Sequence, residues 1–261
     1  MKPIFLIVVL FFNSIVLLNA DEIPRIQIEN TEYIGSFDNK NNQYIFKGIP
    51  YAKPPIDELR WMPTVPYKTE KTALTAQSFK PACMQDNGNT DWYRAVAISL
   101  GNPISMVHDK PIISEDCLYL NIWSQSLSIE KKQPVMVWIH GGGNVNGYSH
   151  EPNYIGNNLA KKGVVVVSIN FRLNALGYLP HPENTNSSGN YGLMDQLTAL
   201  EWIKNNTPED AIIGSWWDYG YWIQTLGDRT CFKAPETIYQ DFPYSEFAST
   251  SSAQGIDPAY D

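Results

Sequence analysis

Two apolar runs, Val135–Ile139 and residues 164–169, constrain this chain more than anything else in it. A strand half-covered by a core alternates apolar and polar residues, whereas a run without alternation suits a strand buried on both faces. Between the runs, residues 154–162 can form a helix ended by Gly163. Leu193, Met194, Leu197, Leu200 and Ile203 then fall on one face at helical spacing, predicting a helix of about four turns at 3.6 residues each. Strands alternating with helices predict an α/β fold with parallel central strands. Ahead of them Arg25–Ile28, residues 33–37 and residues 44–49 are β-rich, the last two separated by a polar turn cluster at 38–42, so the sheet is expected to be mixed, antiparallel at one edge. Residues 118–123 read as a further strand. Residues 52–112 are Pro-rich and poorly periodic and read as long loops.

Residues 1–20 carry one cation, Lys2, then an apolar stretch broken by Asn13 and Ser14 and closed by Leu18-Asn19-Ala20. That is the layout of a secretory signal peptide cut after Ala20, leaving a secreted chain with no membrane span. An oxidising compartment would leave the three cysteines, Cys83, Cys117 and Cys231, as one bridge and one free thiol. The four histidines, His108, His140, His150 and His181, show no metal-ligand spacing, so neither a metal nor another cofactor is expected. With 19 basic against 27 acidic residues the formal charge is -8, which argues against nucleic acid as a partner. No oligomeric state is read from the sequence.

His140-Gly141-Gly142-Gly143 directly follows the first apolar run. A turn without Cβ atoms can aim successive backbone N–H groups into one cavity, as an oxyanion hole requires. Glycines alone more often mark a plain turn. The flanking blocks shift the reading. Phe46-Lys47-Gly48-Ile49-Pro50-Tyr51-Ala52 with Pro54-Pro55 and Leu59-Arg60-Trp61 stands first, followed by Ser114-Glu115-Asp116-Cys117-Leu118-Tyr119-Leu120-Asn121-Ile122-Trp123. Residues 134–143, residues 165–172 and Gly189-Asn190-Tyr191-Gly192-Leu193-Met194-Asp195-Gln196 complete the series.

In this order the blocks resemble the type-B carboxylesterase and lipase family, the α/β-hydrolases that include the cholinesterases, over residues 25–206. The resemblance implies the amino-terminal portion of an α/β-hydrolase, with an incomplete, mixed, mostly parallel central sheet. It implies that Gly142 and Gly143 are the oxyanion donors and that Cys83 is bonded to Cys117. It also implies ion pairs Arg60–Glu115 and Arg172–Asp195 that hold loops, and a small-molecule or lipid ester as the family's substrate. Asn144 departs from the family, which usually has an aromatic or small apolar residue there.

Acyl transfer on this fold needs a serine in Gly-x-Ser-x-Gly, a histidine base and a carboxylate. The sequence holds no such serine motif: residues 147–151 fail at the last position, and Ser215 is followed by the bulky Trp216 and Trp217. His140 reads as a packing residue of the turn. After Asn206 the sequence changes character. Residues 208–222 and 227–230, with Trp216-Trp217-Asp218-Tyr219-Gly220, resemble the catalytic subunit of oligosaccharyltransferase, whose membrane machinery is absent here. A hybrid chain is expected, either a gene fusion or a join made in assembling reads, with the join preferred. The expected organisation is a signal peptide at 1–20, the hydrolase part at 21–206, the foreign segment at 207–233 and an acidic, poorly ordered tail at 234–261. Asn186, in an Asn/Ser-rich loop, is the preferred glycosylation site, and the sequon at Asn205 is disfavoured by its proline. Three functions follow: part of a secreted ester hydrolase, inactive without its nucleophile; a non-catalytic extracellular binding protein on the same fold; or a fragment related to oligosaccharyl transfer.

Overall fold

The polar cluster at 38–42 turns the chain back on itself. Asp38 accepts hydrogen bonds from the N–H groups of Lys40 and Asn41 at 3.0 and 3.2 Å, and Asn42 takes a left-handed φ of 54°. Short side chains with an acceptor stabilise such turns by mimicking backbone partners. In the computed structural model, which describes residues 23–69, 71–180, 189–207, 213–214 and 231–232, this turn joins β3 (Ser36–Asp38) to β4 (Gln43–Pro50) as an antiparallel pair. The run at 33–37 is therefore not one strand. It divides at Gly35 into β2 (Thr31–Ile34) and β3 because the chain changes sheets there: β2 pairs with β1 (Arg25–Ile28) and with β5 (Ala73–Thr75).

The main sheet continues from β4 through antiparallel β8 (Tyr119–Ser124) and antiparallel β10 (Val165–Ile169) to parallel β9 (Val135–Ile139). Beyond β9 lie two short parallel strands, β11 (Ile213–Gly214) and β12 (Cys231–Phe232). The order is β12-β11-β9-β10-β8-β4-β3, with three parallel and three antiparallel pairings among the described strands. Successive residues of β10 serve opposite layers, as the absence of alternation required. Val166 packs with Ile45, Trp123 and Ala160, while Val167 and Ile169 join the larger core with Leu120, Val137 and Ile139.

Helix α4 (Tyr191–Asn205) closes that larger core, but on a face rotated from the expected one. The buried residues are Tyr191, Gly192, Asp195, Gln196, Ala199, Leu200 and Ile203, while Leu193, Met194 and Leu197 are only half-buried. The physical reason is Asp195. A carboxylate on an apolar face misleads a hydrophobic count, and here it is buried because Arg172 meets it: the Arg172 Nε and Nη2 donate to the two carboxylate oxygens, each at 2.8 Å. Arg172 also donates from Nη1 to the Met62 carbonyl at 3.0 Å and from Nη2 to the Thr64 hydroxyl at 3.1 Å. One guanidinium thus ties together the end of β10, α4 and the segment at 62–64.

Two further expectations need correction. The Pro-rich stretch 52–112 contains a regular helix, α1 (Gly88–Ser99), whose only buried residues are Thr90 and Ala97, so it leaves almost no apolar stripe to read. Trp92 and Ile98 are each 60% exposed. The helix expected at 154–162 shrinks to α2 (Asn157–Ala160) behind a 3-10 turn at Pro152–Tyr154. Pro152 opens that turn, and Gly163, at φ 86°, stands beyond the helix in the left-handed region that ends helices. A short parallel pair, β6 (Ala82–Cys83) with β7 (Ile113–Ser114), brings together the stems of the loop carrying α1, and the Cys83–Cys117 disulfide closes it. No helix among the described residues is long and apolar enough to cross a membrane.

Replacing Asp195 with alanine strands a buried guanidinium, and urea unfolding should show a loss of about 3–5 kcal/mol. Reducing the disulfide, which spans a sequence separation of 34, should lower stability by about 3–4 kcal/mol on chain-entropy grounds. A loss under 1 kcal/mol in either case would mean that the contact is not formed in solution.

Candidate active site

Strand β9 delivers the chain to His140, which is 2% exposed. Its Nδ1 donates to the Gly141 carbonyl at 2.9 Å, and its ring stacks on Phe171 at 4.4 Å and 14°. Burial pulls the imidazole down to about 4, so it is neutral at pH 7 and serves as a wall of the turn. The next residues bend sharply: Gly142, Gly143 and Asn144 take φ values of 109°, 61° and 61°. The Gly142 carbonyl is turned inward to accept from the N–H groups of Val145 and Asn146 at 3.0 and 3.2 Å. Gly142 and Gly143 are exposed, and among the described residues no hydrogen bond takes up either of their N–H groups. Two adjacent free donors on an exposed bend are what a developing oxyanion needs at about 2.7–3.1 Å.

Glycine is required at 142 by space as well as by φ. A Cβ there would lie 1.9 Å from the Asn146 carbonyl oxygen, which no rearrangement of a side chain relieves.

The far side of the bend is gripped by α3 (Asn174–Tyr178), which follows β10 after Asn170-Phe171-Arg172-Leu173. The Asn174 N–H donates to the Asn144 carbonyl at 2.8 Å, its Nδ2 to the Val145 carbonyl at 2.6 Å and to the Met84 carbonyl at 3.4 Å. The Tyr178 hydroxyl donates to Asn144 Oδ1 at 3.2 Å. The residue that departs from the family at 144 is thus an asparagine in a left-handed conformation, which Asn tolerates better than most side chains. Sequence reasoning missed Asn174 and Tyr178, since two polar residues after a strand carry no signal of their own. Asn174 itself sits at φ 53°, so only the choice of Asn at a sharp bend hinted at a role.

The other sequence candidates lie around this bend rather than in it. Arg60 Nε and Nη2 donate to the Glu115 carboxylate at 2.5 and 2.8 Å, a two-pronged pair at a partly exposed position. Cys83 and Cys117 are bonded, with their Cα atoms 5.0 Å apart. A shallow dent with room for little more than a water molecule is lined by Pro55, Arg60, Met84, Glu115, Leu173 and Leu176 among others, and no residue of the glycine bend lines it. Ser149, inside the rejected motif at 147–151, is 1% exposed, and its hydroxyl accepts from Asn121 Nδ2 at 3.0 Å within the protein. The adjacent His150 stacks on Phe79 at 4.7 Å, and burial holds its imidazole at about 4. The Ser149 hydroxyl also lies 3.4 Å from His150 Nδ1, but at 1% exposure it is closed off from any substrate in solution. Among the described residues no group of three His, Cys, Asp or Glu could hold a metal ion. Asn186, His181, Ser215, the leader, the 216–220 motif and the tail lie outside the described residues. Asn205, at the end of α4, is exposed.

A mixed sheet covered on both layers, with a glycine bend leaving the tip of a central parallel strand, defines an α/β-hydrolase fold. Solved structures share it: a carboxylesterase of Geobacillus stearothermophilus superimposes with a TM-score of 0.58 at 33% identity, covering 73% of this chain and 37% of that one. A PNB esterase gives 0.61 at 28% identity, covering 74% and 38%. Residues 25–209 match the Carboxylesterase family. The chain belongs to that family. It is 41% identical over 169 residues to the fumonisin B1 esterase of Sphingopyxis macrogoltabida, covering 63% of this chain and 28% of that protein. It is 40% identical over 162 residues to the acetylcholinesterase of Bungarus fasciatus, covering 62% and 25%. The chain therefore spans well under a third of the length of these curated relatives.

Gly142→Ala should cost about 2 kcal/mol or more through the φ and the collision with Asn146, read as a drop in thermal midpoint. For His140 the folded pKa lies below the ordinary 6.5, so its contribution is complete above pH 6.5 and is lost as pH falls through about 4. His140→Phe, which keeps a ring against Phe171, should flatten the fall in stability between pH 6.5 and 4 by about 3 kcal/mol. An unchanged slope would show that the histidine is not buried as described.

Proposed function

We propose that this chain provides the oxyanion-holding part of a secreted carboxylic ester hydrolase acting on a small-molecule or lipid ester. The single observation that carries the reading is the pair of unengaged N–H groups at Gly142 and Gly143, on a bend at the end of a central strand in a carboxylesterase-family chain. In the full reaction of such an enzyme a serine hydroxyl attacks the ester carbonyl, the carbonyl oxygen becomes an oxyanion held by these N–H groups, the alcohol leaves, and water releases the acyl group. This sequence carries no Gly-x-Ser-x-Gly. The 261-residue chain is on that ground inactive as an esterase, since donors without a nucleophile leave at most residual catalysis.

Export is supported by the signal-like residues 1–20 and by the Cys83–Cys117 bond, which persists in oxidising compartments. The missing serine motif also favours a second reading, a non-catalytic extracellular binding protein on the same frame. The likeness of 207–233 to oligosaccharyltransferase is read as foreign sequence joined to this frame and adds no activity to it.

The purified 261-residue chain should leave p-nitrophenyl butyrate unhydrolysed above the buffer rate. Turnover abolished by a serine-directed phosphonate would overturn the missing-nucleophile reading. A saturable cell-surface partner for the inert chain would favour the binding reading instead. A native peptide spanning residues 204–217 in a mass spectrum would establish a fusion near Asn206, and its absence beside both parent sequences would favour a join.

A further inference from the structure

The glycine bend has two ends, and Asn174 holds only one. At the other, Gly147 is clasped by the side chain of Gln85: Gln85 Oε1 accepts from the Gly147 N–H at 2.8 Å, and Gln85 Nε2 donates to the Gly147 carbonyl at 2.8 Å. The amide of a side chain thus pairs with both backbone groups of one residue, as a neighbouring strand would. The same Nε2 donates to the Cys83 carbonyl at 3.1 Å, and Gln85 is 9% exposed. Gly147 has no slack with which to drift: its φ is 108°, and a Cβ on it would lie 2.4 Å from the Gly141 carbonyl oxygen and 2.5 Å from His140 Nδ1. It is packed directly under the residues that begin the bend.

We propose that Gln85 is a positioning residue for the oxyanion donors, transmitting the disulfide-anchored position of Cys83 to the Gly142 and Gly143 N–H groups through Gly147. Met84, between the two anchoring residues, also receives Asn174 Nδ2, so both ends of the bend are referred to one three-residue segment, 83–85. No other described side chain clasps both backbone groups of a bend residue. Gln85 touches no reacting atom. Its effect is on where the donors stand, and the inference rests on reading the bend as an oxyanion cradle.

The test uses the 15N-labelled, disulfide-intact 261-residue chain, with acetate as a carboxylate probe of the two donors. Wild type should show the Gly142 and Gly143 amide resonances moving on acetate addition. Gln85→Leu, which keeps the volume and removes all three hydrogen bonds, should lower the thermal midpoint but, where it still folds cooperatively, shift those two resonances before any acetate is added and weaken acetate binding about tenfold. Gln85→Glu keeps an acceptor for the Gly147 N–H but offers the Gly147 carbonyl no donor at pH 7, so its acetate affinity should fall between the two. If Gln85→Leu fails to fold, Gln85→Glu decides alone. Unmoved Gly142 and Gly143 resonances with acetate affinity within about twofold of wild type would overturn the proposal. Should wild type itself show no acetate-dependent movement, the oxyanion reading fails, and the clasp is then judged by the acetate-free resonances and by exchange of the Gly147 amide.

Discussion

The frame depends on one guanidinium. Arg172 is 3% exposed, and nothing offsets the loss of its hydration except the partners arranged around it. Asp195 neutralises it, accepting also from the Arg172 N–H at 2.9 Å, while the Met62 carbonyl and the Thr64 hydroxyl occupy remaining donors. The consequence is geometric before it is energetic. A strand end, a helix and a loop from the amino-terminal part must each reach the same few cubic ångströms, or a charge is left unpaired in the core. Two residues on, Asn174 reaches the glycine bend, so the place where the bend is held follows from the place where the charge is satisfied.

On the oxyanion reading proposed above, the surroundings of the bend keep other chemistry out of it. A histidine next to a developing oxyanion could be taken for a base, yet His140 gives its Nδ1 proton to a neighbouring carbonyl and its face to Phe171. A neutral, stacked ring supplies bulk and spends its Nδ1 proton within the turn. Such donors are fixed by covalent geometry and need little reorganisation when charge appears, which is why preorganised backbone amides are effective.

The parts of this architecture legible in the sequence were those governed by one local rule. The unalternating runs at β9 and β10 marked strands covered on both faces, and Asp38 with its neighbours marked a hairpin. What escaped was set by partners distant in sequence. Asp195 sits on the buried face of α4 because Arg172 is there, and without that knowledge the apolar count selects a face rotated from the buried one, keeping Leu200 and Ile203 but missing Asp195 and Ala199. Helix α1 buries two small residues and so has no stripe to detect. Gln85 and Asn174 reach backbone atoms 62 and 29 residues away, and a side chain's choice of a distant carbonyl leaves no periodic trace. The glycines at 142 and 143 were visible as a cluster, but their open donors became evident only with the φ angles and hydrogen bonds of the folded chain.

The arm that carries α1 shows how such a frame can diversify. Its return point is fixed by a covalent bond between Cys83 and Cys117 and by a two-residue strand pair, not by apolar surface pressed into the centre of the molecule. Trp92 and Ile98 turn to solvent, while Tyr93 donates its hydroxyl to the buried Glu151 at 3.0 Å and His108 meets the buried Tyr148 edge-on. Apart from those two contacts the excursion is tethered chiefly at its sulfur-bonded base, so a change in its outer residues alters the surface while the strands beneath keep their register.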